Sequence, residues 1–233
     1  MIPSSGAERA GYVQAMFGRI APRYDLMNRL MTFGQDLHWR RLLLQKILLE
    51  QNERMLDLGT GTGDIAGAAL ADGKVSLCVG ADFALEMMQV GRLRPAMRQV
   101  RWAGTDALHL PFSGGSFDAV TSGFLMRNVI DIDAALAEQY RVLRVGGRVA
   151  CLDTTPPLDN WLRPLILMHF RFFMPLLGRL VAGQAEAYAY LPSTTEKFLA
   201  PEALQQKFVQ AGFRNVRFQR LMLGTIALHW AER

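Results

Sequence analysis

Apolar and polar positions change their period along this 233-residue chain, and the changes mark out its elements. Over residues 10–50 the apolar positions recur at helical spacing, in three pieces punctuated by Pro22 and by Thr32-Phe33-Gly34. The third piece, 37–49, sets Leu42, Leu43, Leu44, Ile47, Leu48 and Leu49 against Arg40, Arg41, Gln45 and Lys46, which is the stripe of a helix packed on a sheet. Short apolar runs then alternate with helical stretches. Strands are predicted near 54–58, at 75–81 ending on Asp82, at 100–103 and after the Leu110-Pro111-Phe112 turn, with helices at 63–71, 83–93 and 131–143 between or after them. Arg144-Val145-Gly146-Gly147 ends the last of these helices before a fifth strand at 148–152. Such a βαβ rhythm predicts a parallel sheet.

The rhythm breaks at 156–191. Within it, 165–180 is dense in Leu, Met and Phe, but His169, Arg171, Pro175 and Arg179 interrupt the run short of the roughly 20 apolar residues that a membrane span needs. The expectation is a lid or groove for an apolar substrate tail that touches a bilayer, with a buried helix pair or a homodimer contact as the alternative. A helix at 201–211 and two strands, 212–220 and 225–230, close the sheet as a hairpin-like pair. The organisation expected is one domain, with a helical cap (1–50), a cofactor-binding core (51–155), the apolar insertion (156–197) and the closing elements (198–233).

The pivotal stretch is Met55-Leu56-Asp57-Leu58-Gly59-Thr60-Gly61-Thr62-Gly63-Asp64, a strand tip that breaks into alternating glycines and opens a helix. Glycines there let a ligand approach the main chain. A dinucleotide fingerprint would require glycine at position 64, where Asp64 would meet the diphosphate. Asp57 and Asp64 instead suit a ligand with a cationic centre, such as S-adenosylmethionine. Asp82, 23 positions after Gly59, stands where an acidic residue accepts hydrogen bonds from ribose hydroxyls, and Asp106-Ala107 follows the third strand where it can reach an adenine. A second three-strand nucleotide half is missing, which disfavours a nicotinamide-dependent oxidoreductase.

Composition adds little beyond exclusion. Half of the residues are apolar and the net charge is +5, spread without a Lys/Arg block, so a nucleic-acid partner is not expected and an anionic membrane surface is compatible. Cys78 and Cys151 fall in strands expected to be separated by two others, too far for a disulfide, and they lack metal-ligand spacing. A reducing cytoplasm fits, and Met1-Ile2-Pro3-Ser4-Ser5-Gly6 has no signal-peptide pattern.

More specific stretches are Phe17-Gly18-Arg19-Ile20-Ala21-Pro22-Arg23-Tyr24-Asp25-Leu26-Met27-Asn28, Leu110-Pro111-Phe112, Arg127-Asn128-Val129, Arg141-Val142-Leu143-Arg144-Val145-Gly146-Gly147, Tyr188-Ala189-Tyr190-Leu191 and Gly224-Thr225-Ile226-Ala227-Leu228-His229. With them the chain resembles, over nearly its whole length, the ubiquinone/menaquinone biosynthesis C-methyltransferases. The resemblance implies an α/β, Rossmann-like class I methyltransferase fold of seven strands with the last antiparallel. It also implies methyl transfer from S-adenosylmethionine to a ring carbon of a prenylated quinol, most closely demethylmenaquinol.

By position Thr62, Asp82, Asp106 and Ala107 match the family's cofactor contacts, and Asp57, Gly59, Gly61, Phe83 and Gly123 complete the expected cofactor set. The chain departs from the pattern at Gly123, where the family usually has serine, at Leu125-Met126 and at Asp36-Leu37, where a His-Arg pair is usual. Other readings are a diverged methyltransferase of another apolar phenol or polyketide, and an inactive cofactor- or lipid-binding partner.

A quinol carbon becomes nucleophilic when a ring hydroxyl loses its proton. Asp25 is the first candidate for the base and His229 the second, with Tyr24 beside Asp25 on the cap. Arg127 cannot be an ordinary base but can stabilise a phenolate, and Asn128 would orient the same group.

Overall fold

The computed structural model describes residues 6–233, so the reading of Met1 to Ser5 lies outside the described residues. Three helices lead in: α1 (Gly6–Ile20), α2 (Tyr24–Met31) and α3 (Gln35–Ile47). Pro22 falls in a single 3-10 turn between α1 and α2, where its fixed φ and missing N–H do no harm. Phe33 and Gly34, both at positive φ, make the tight corner before α3.

The core runs β1 (Glu53–Leu58), α4 (Asp64–Ala71), β2 (Val75–Asp82), α5 (Leu85–Arg92), β3 (Arg101–Gly104), β4 (Phe117–Gly123), α6 (Ile132–Val142) and β5 (Leu143–Thr154). Then come α7 (Arg163–Ala182), α8 (Ala185–Lys197), α9 (Pro201–Gln210), β6 (Arg214–Leu221) and β7 (Ile226–Glu232). The sheet has seven strands in the order β3-β2-β1-β4-β5-β7-β6. β1 to β5 pair in parallel and β7 is antiparallel to both of its neighbours. Two strands, β1 and β4, separate Cys78 from Cys151, and both thiols are free and buried.

Two boundaries differ from the sequence reading. β5 begins at Leu143 because Gly146, at φ 75°, lets the chain bulge and stay paired with β4 where a turn was expected. The larger correction is α7. Backbone hydrogen bonding runs without a break from Arg163 to Ala182, through two π-turns at His169–Phe173 and Gly178–Ala182. The helix therefore reaches the 20 residues and apolar composition of a membrane span, yet only 11% of that stretch is buried in the protein.

Side chains fill both faces of the sheet. One face packs Leu136 and Val142 of α6 with Leu204 and Phe208 of α9. The other packs Trp39, Leu43 and Ile47 of α3 with Ile65, Ala66 and Ala69 of α4, and here the predicted stripe of α3 does its work. A separate cluster, with Met16 and Ile20 from α1, Met27 and Met31 from α2, and Tyr188 and Leu191 from α8, joins the cap to the insertion.

The cap meets the core through charge. Asp36, fully buried, takes hydrogen bonds from Arg29 and, at 2.5 Å, from Arg40. Arg29 also reaches Asp64 at 2.6 Å, and Arg94 bridges Asp64 at 2.8 Å and Asp25 at 3.2 Å. Burial pushes the Asp64 carboxyl up, but Arg40, Arg29 and Arg94 outweigh it and hold it below the usual range. Removing one partner of such a cluster strands the opposite charge, which typically costs about 3–5 kcal/mol. Asp36→Ala should therefore lower stability by about that amount in a denaturant titration, and Leu37→Ala, on the same turn but half exposed, by less than about 1 kcal/mol.

Candidate active site

Parallel α/β sheets bind ligands at the carboxyl ends of their strands, and here β1, β2 and β4 end at one cleft. Gly59 and Gly61, at φ 66° and 58°, carry the chain over the strand tip with their main chain open to that cleft. Beneath the turn, buried Asp57 accepts hydrogen bonds from Thr60 at 2.6 Å and Thr121 at 2.8 Å. Burial pushes its carboxyl up to about 6 against those bonds. Asp57 thus braces the turn from below and is not on the cleft wall.

Asp82 ends β2 and accepts from the Gly61 N–H at 2.7 Å and the Ala84 N–H at 2.8 Å, so it fixes both sides of the cleft. Burial raises its carboxyl above the ordinary range. Phe83, Asp106, Ala107, Gly123 and Asn128 share this wall, with Ala10, Gln14 and Phe17 of α1 closing over it. Two acids stand at neighbouring strand ends on this wall, and a Cβ at Gly59 would meet the Leu125 side chain at 3.0 Å.

A second cavity, of about 300 Å³, lies beside the first and is apolar. Met31 and Phe33 from the cap, Leu165, Ile166, Phe170 and Met174 from α7, and Leu191 from α8 wall it. Tyr24 and Phe124 line both cavities and stand at their junction. Phe124 sits at φ 61°, a left-handed conformation that a bulky residue adopts only under constraint. Its N–H donates to the Leu152 carbonyl at 2.7 Å and its own carbonyl accepts from Asn128 at 2.9 Å. The stacking of Arg127 over its ring, at 5.2 Å, adds a third hold. The Asn128 amide is thus spent on the Phe124 carbonyl, and its Oδ1 also accepts from the Tyr190 hydroxyl at 3.4 Å.

Arg127 lines the apolar cavity and is ion-paired with buried Asp153 at 2.8 Å, while its Nε has no partner. Desolvation pushes the Tyr24 hydroxyl up, against the pull of Arg40, so it stays a protonated donor at neutral pH.

Four expectations need correction. Asp25 does not face either cavity: it accepts from Thr62 at 2.7 Å and pairs with Arg94, which makes it a tether between cap and turn. Thr62, expected on the cofactor, spends its hydroxyl on that tether. Asp64 spends its charge on arginines, so the acids that a cationic ligand would meet are Asp82 and Asp106. His229 lies outside both cavities, its Nε2 2.9 Å from the Pro201 carbonyl and its ring stacked on Phe208; burial pushes it down to about 4.

The sequence reading missed two residues. Asp153 stands at the end of β5, the same strand-end position that made Asp57 and Asp82 conspicuous, and that signal was available. In sequence His169 is only an interruption of the apolar run. It lines the second cavity between Phe33 and Phe173, and burial lowers its pKa, although a hydrogen bond to the Met31 carbonyl works the other way. No acidic side chain is among that cavity's described walls.

Comparison with known proteins places this geometry. Structures of the same fold include the putative methyltransferase bound to the Trm112 methyltransferase activator of Haloferax volcanii (TM-score 0.66, 18% identity, covering 93% of this chain and 96% of that one). Another is a possible histamine N-methyltransferase of Thermotoga maritima (TM-score 0.63, 19% identity, 94% and 98% covered). In sequence the chain is 46% identical to the ubiquinone/menaquinone biosynthesis C-methyltransferase UbiE of Desulfotalea psychrophila, over 94% of this chain and 89% of the relative. It is 44% identical to the demethylmenaquinone methyltransferase of Thermus thermophilus, over 94% of this chain and all of the relative. The model of the ubiE/COQ5 methyltransferase family matches residues 5–233, and the chain belongs to that family of S-adenosylmethionine-dependent methyltransferases.

Proposed function

We propose that the chain methylates a ring carbon of a prenylated quinol, converting demethylmenaquinol to menaquinol, as a cytoplasmic protein that works at a membrane surface. The observation that carries this reading is the junction at Tyr24 and Phe124, where a glycine- and acid-lined cleft meets an apolar cavity. Methyl transfer needs such a meeting of two compartments, donor on one side and acceptor on the other. The activities for which the relatives in Desulfotalea psychrophila and Thermus thermophilus are named support the choice of acceptor.

S-adenosylmethionine, when bound by Asp82, Asp106 and the Gly59 and Gly61 main chain, supplies an electrophilic sulfonium methyl group. The chain's own residues have to activate the acceptor and keep water away. The Arg127 guanidinium, on the wall of the apolar cavity, stabilises the phenolate, while Asp153 holds it in place. Tyr24 donates a second hydrogen bond at the junction. Neutral His169 accepts the phenolic proton, in place of Asp25 and His229. The greasy walls contributed by α2, α7 and α8 exclude water and receive the start of the prenyl tail.

Loss of the ribose acceptor should show in binding before it shows in folding. Asp82→Ala should weaken S-adenosylmethionine about 100-fold by calorimetry, with the melting temperature changed by only a few degrees, and an unaltered affinity would remove Asp82 from the site. His169 makes a separate claim. His169→Gln should lower kcat about 100-fold with KM little changed. Because burial lowers the imidazole pKa, the parent enzyme should keep full activity well below the ordinary histidine value of about 6.5 and lose it as pH falls through that lowered value. The variant should lack this acid limb. A full-rate variant with the limb intact would exclude His169 as the base.

A further inference from the structure

Helix α7 has two apolar faces, and the protein covers only one. Leu162, Ile166, Phe170 and Met174 turn into the acceptor cavity. Trp161, just before the helix, and Leu165, Met168, Phe172, Leu176 and Leu180 along it are exposed, Trp161 and Phe172 at 81% and 71%. Their spacing of three or four residues makes one continuous stripe. A surface this apolar and this long marks an interface.

The charge along α7 selects what covers it. Residues 163–182 contain Arg163, Arg171 and Arg179, all exposed, and no Asp or Glu. Arg163 pairs with Asp159 and Arg171 with Glu196, both outside the helix, and both pairs stand in solvent where a neighbouring anion competes for them. A two-fold contact with a second copy would press this arginine-bearing face toward its own image, with no acid on the helix itself and Asp159 and Glu196 already engaged. An anionic bilayer answers Arg179 and the exposed outer sides of the Arg163 and Arg171 pairs, while the stripe enters the boundary between headgroups and acyl chains and Trp161 sits at the level where its ring is favoured.

A crossing helix would have to leave the protein. The covered face of α7 is packed in place, with Ile166 buried in the wall of the acceptor cavity and Gly178 so close to Tyr188 that a Cβ there would lie 2.5 Å from its ring. Withdrawing it would also remove one wall of the acceptor cavity.

We infer that the exposed face of α7 is a docking surface for an anionic lipid bilayer, on which the helix lies flat in the interface. From this position the prenylated acceptor passes from the bilayer along α7 into the cavity. Leu165 borders both the stripe and the cavity, and exposed Phe33 and Leu223 stand on the cavity rim, so the route is apolar throughout. The inference rests on the proposed acceptor for the passage but not for the docking.

The test uses the full chain and vesicles that contain no quinol, so docking and methyl transfer can fail independently. Vesicles of phosphatidylcholine, with and without phosphatidylglycerol, are floated with the protein, and tryptophan emission is followed. The parent chain should float with the anionic vesicles and show a blue shift that Trp161→Phe removes. A triple variant, Phe172→Ser with Leu176→Ser and Leu180→Ser, alters no wall of either cavity. It should bind at least about tenfold more weakly, with unchanged melting and unchanged turnover of a short-chain soluble quinol. A parent chain that stays unbound, or a triple variant that floats equally well, would overturn the inference. So would a triple variant whose effect is to turn a dimer into a monomer in sedimentation.

Discussion

Six charges that cancel hold the cap on the cofactor turn. Arg29, Arg40 and Arg94 meet Asp25, Asp36 and Asp64 between α2, α3, the start of α4 and the segment after α5. Buried ion pairs add little net stability, because desolvation offsets the attraction. What this cluster supplies is position. Asp25 is tied to Thr62, so α2 cannot shift without moving the glycine turn, and Tyr24, the next residue, is held at the junction between the two cavities. Asp36, where the sequence departs from the family pattern, is the buried centre of this cluster and not a lining of either cavity.

Much of the fold could be read from pattern. The βαβ rhythm, the stripe of α3, the parallel core and the antiparallel closing strands all follow from periodicity and turn residues, because packing against a sheet imposes those periods. Asp82 and Asp106 could be placed from their position after a strand. The roles of Asp25, Asp64 and Thr62 could not, since each was read as a charge or hydroxyl near the turn without its partner. Asp25 pairs with Arg94, and Asp64 with Arg29, Arg40 and Arg94, all far away in sequence, and nothing local announces the pairing. His229 failed for a related reason. It stands in the middle of β7, not near its end, and its side chain takes the face that packs on Phe208. In the insertion, composition revealed grease but not that the π-turns would carry one helix through Pro175, nor that a lone His169 would turn inward.

The site concentrates strain and orphaned polarity where two compartments meet. Phe124 is held in a left-handed conformation by Leu152 and Asn128, and Arg127 keeps one donor unpartnered beside it. Such features cost stability and persist where surrounding structure over-determines them. Here the buried Arg127–Asp153 pair and the tethered cap do so, leaving a protonated Tyr24, a cationic Arg127 and a neutral His169 around one apolar space.

The central claim, that this space brings a quinol ring carbon to the donor, is tested most directly by product analysis. The protein would be incubated with methyl-13C-labelled S-adenosylmethionine and reduced short-chain demethylmenaquinone, and the label located by NMR. The account predicts a labelled methyl on the ring carbon. Label on a ring oxygen, or no transfer to this or to ubiquinone-type quinols by protein that binds the cofactor, would contradict it.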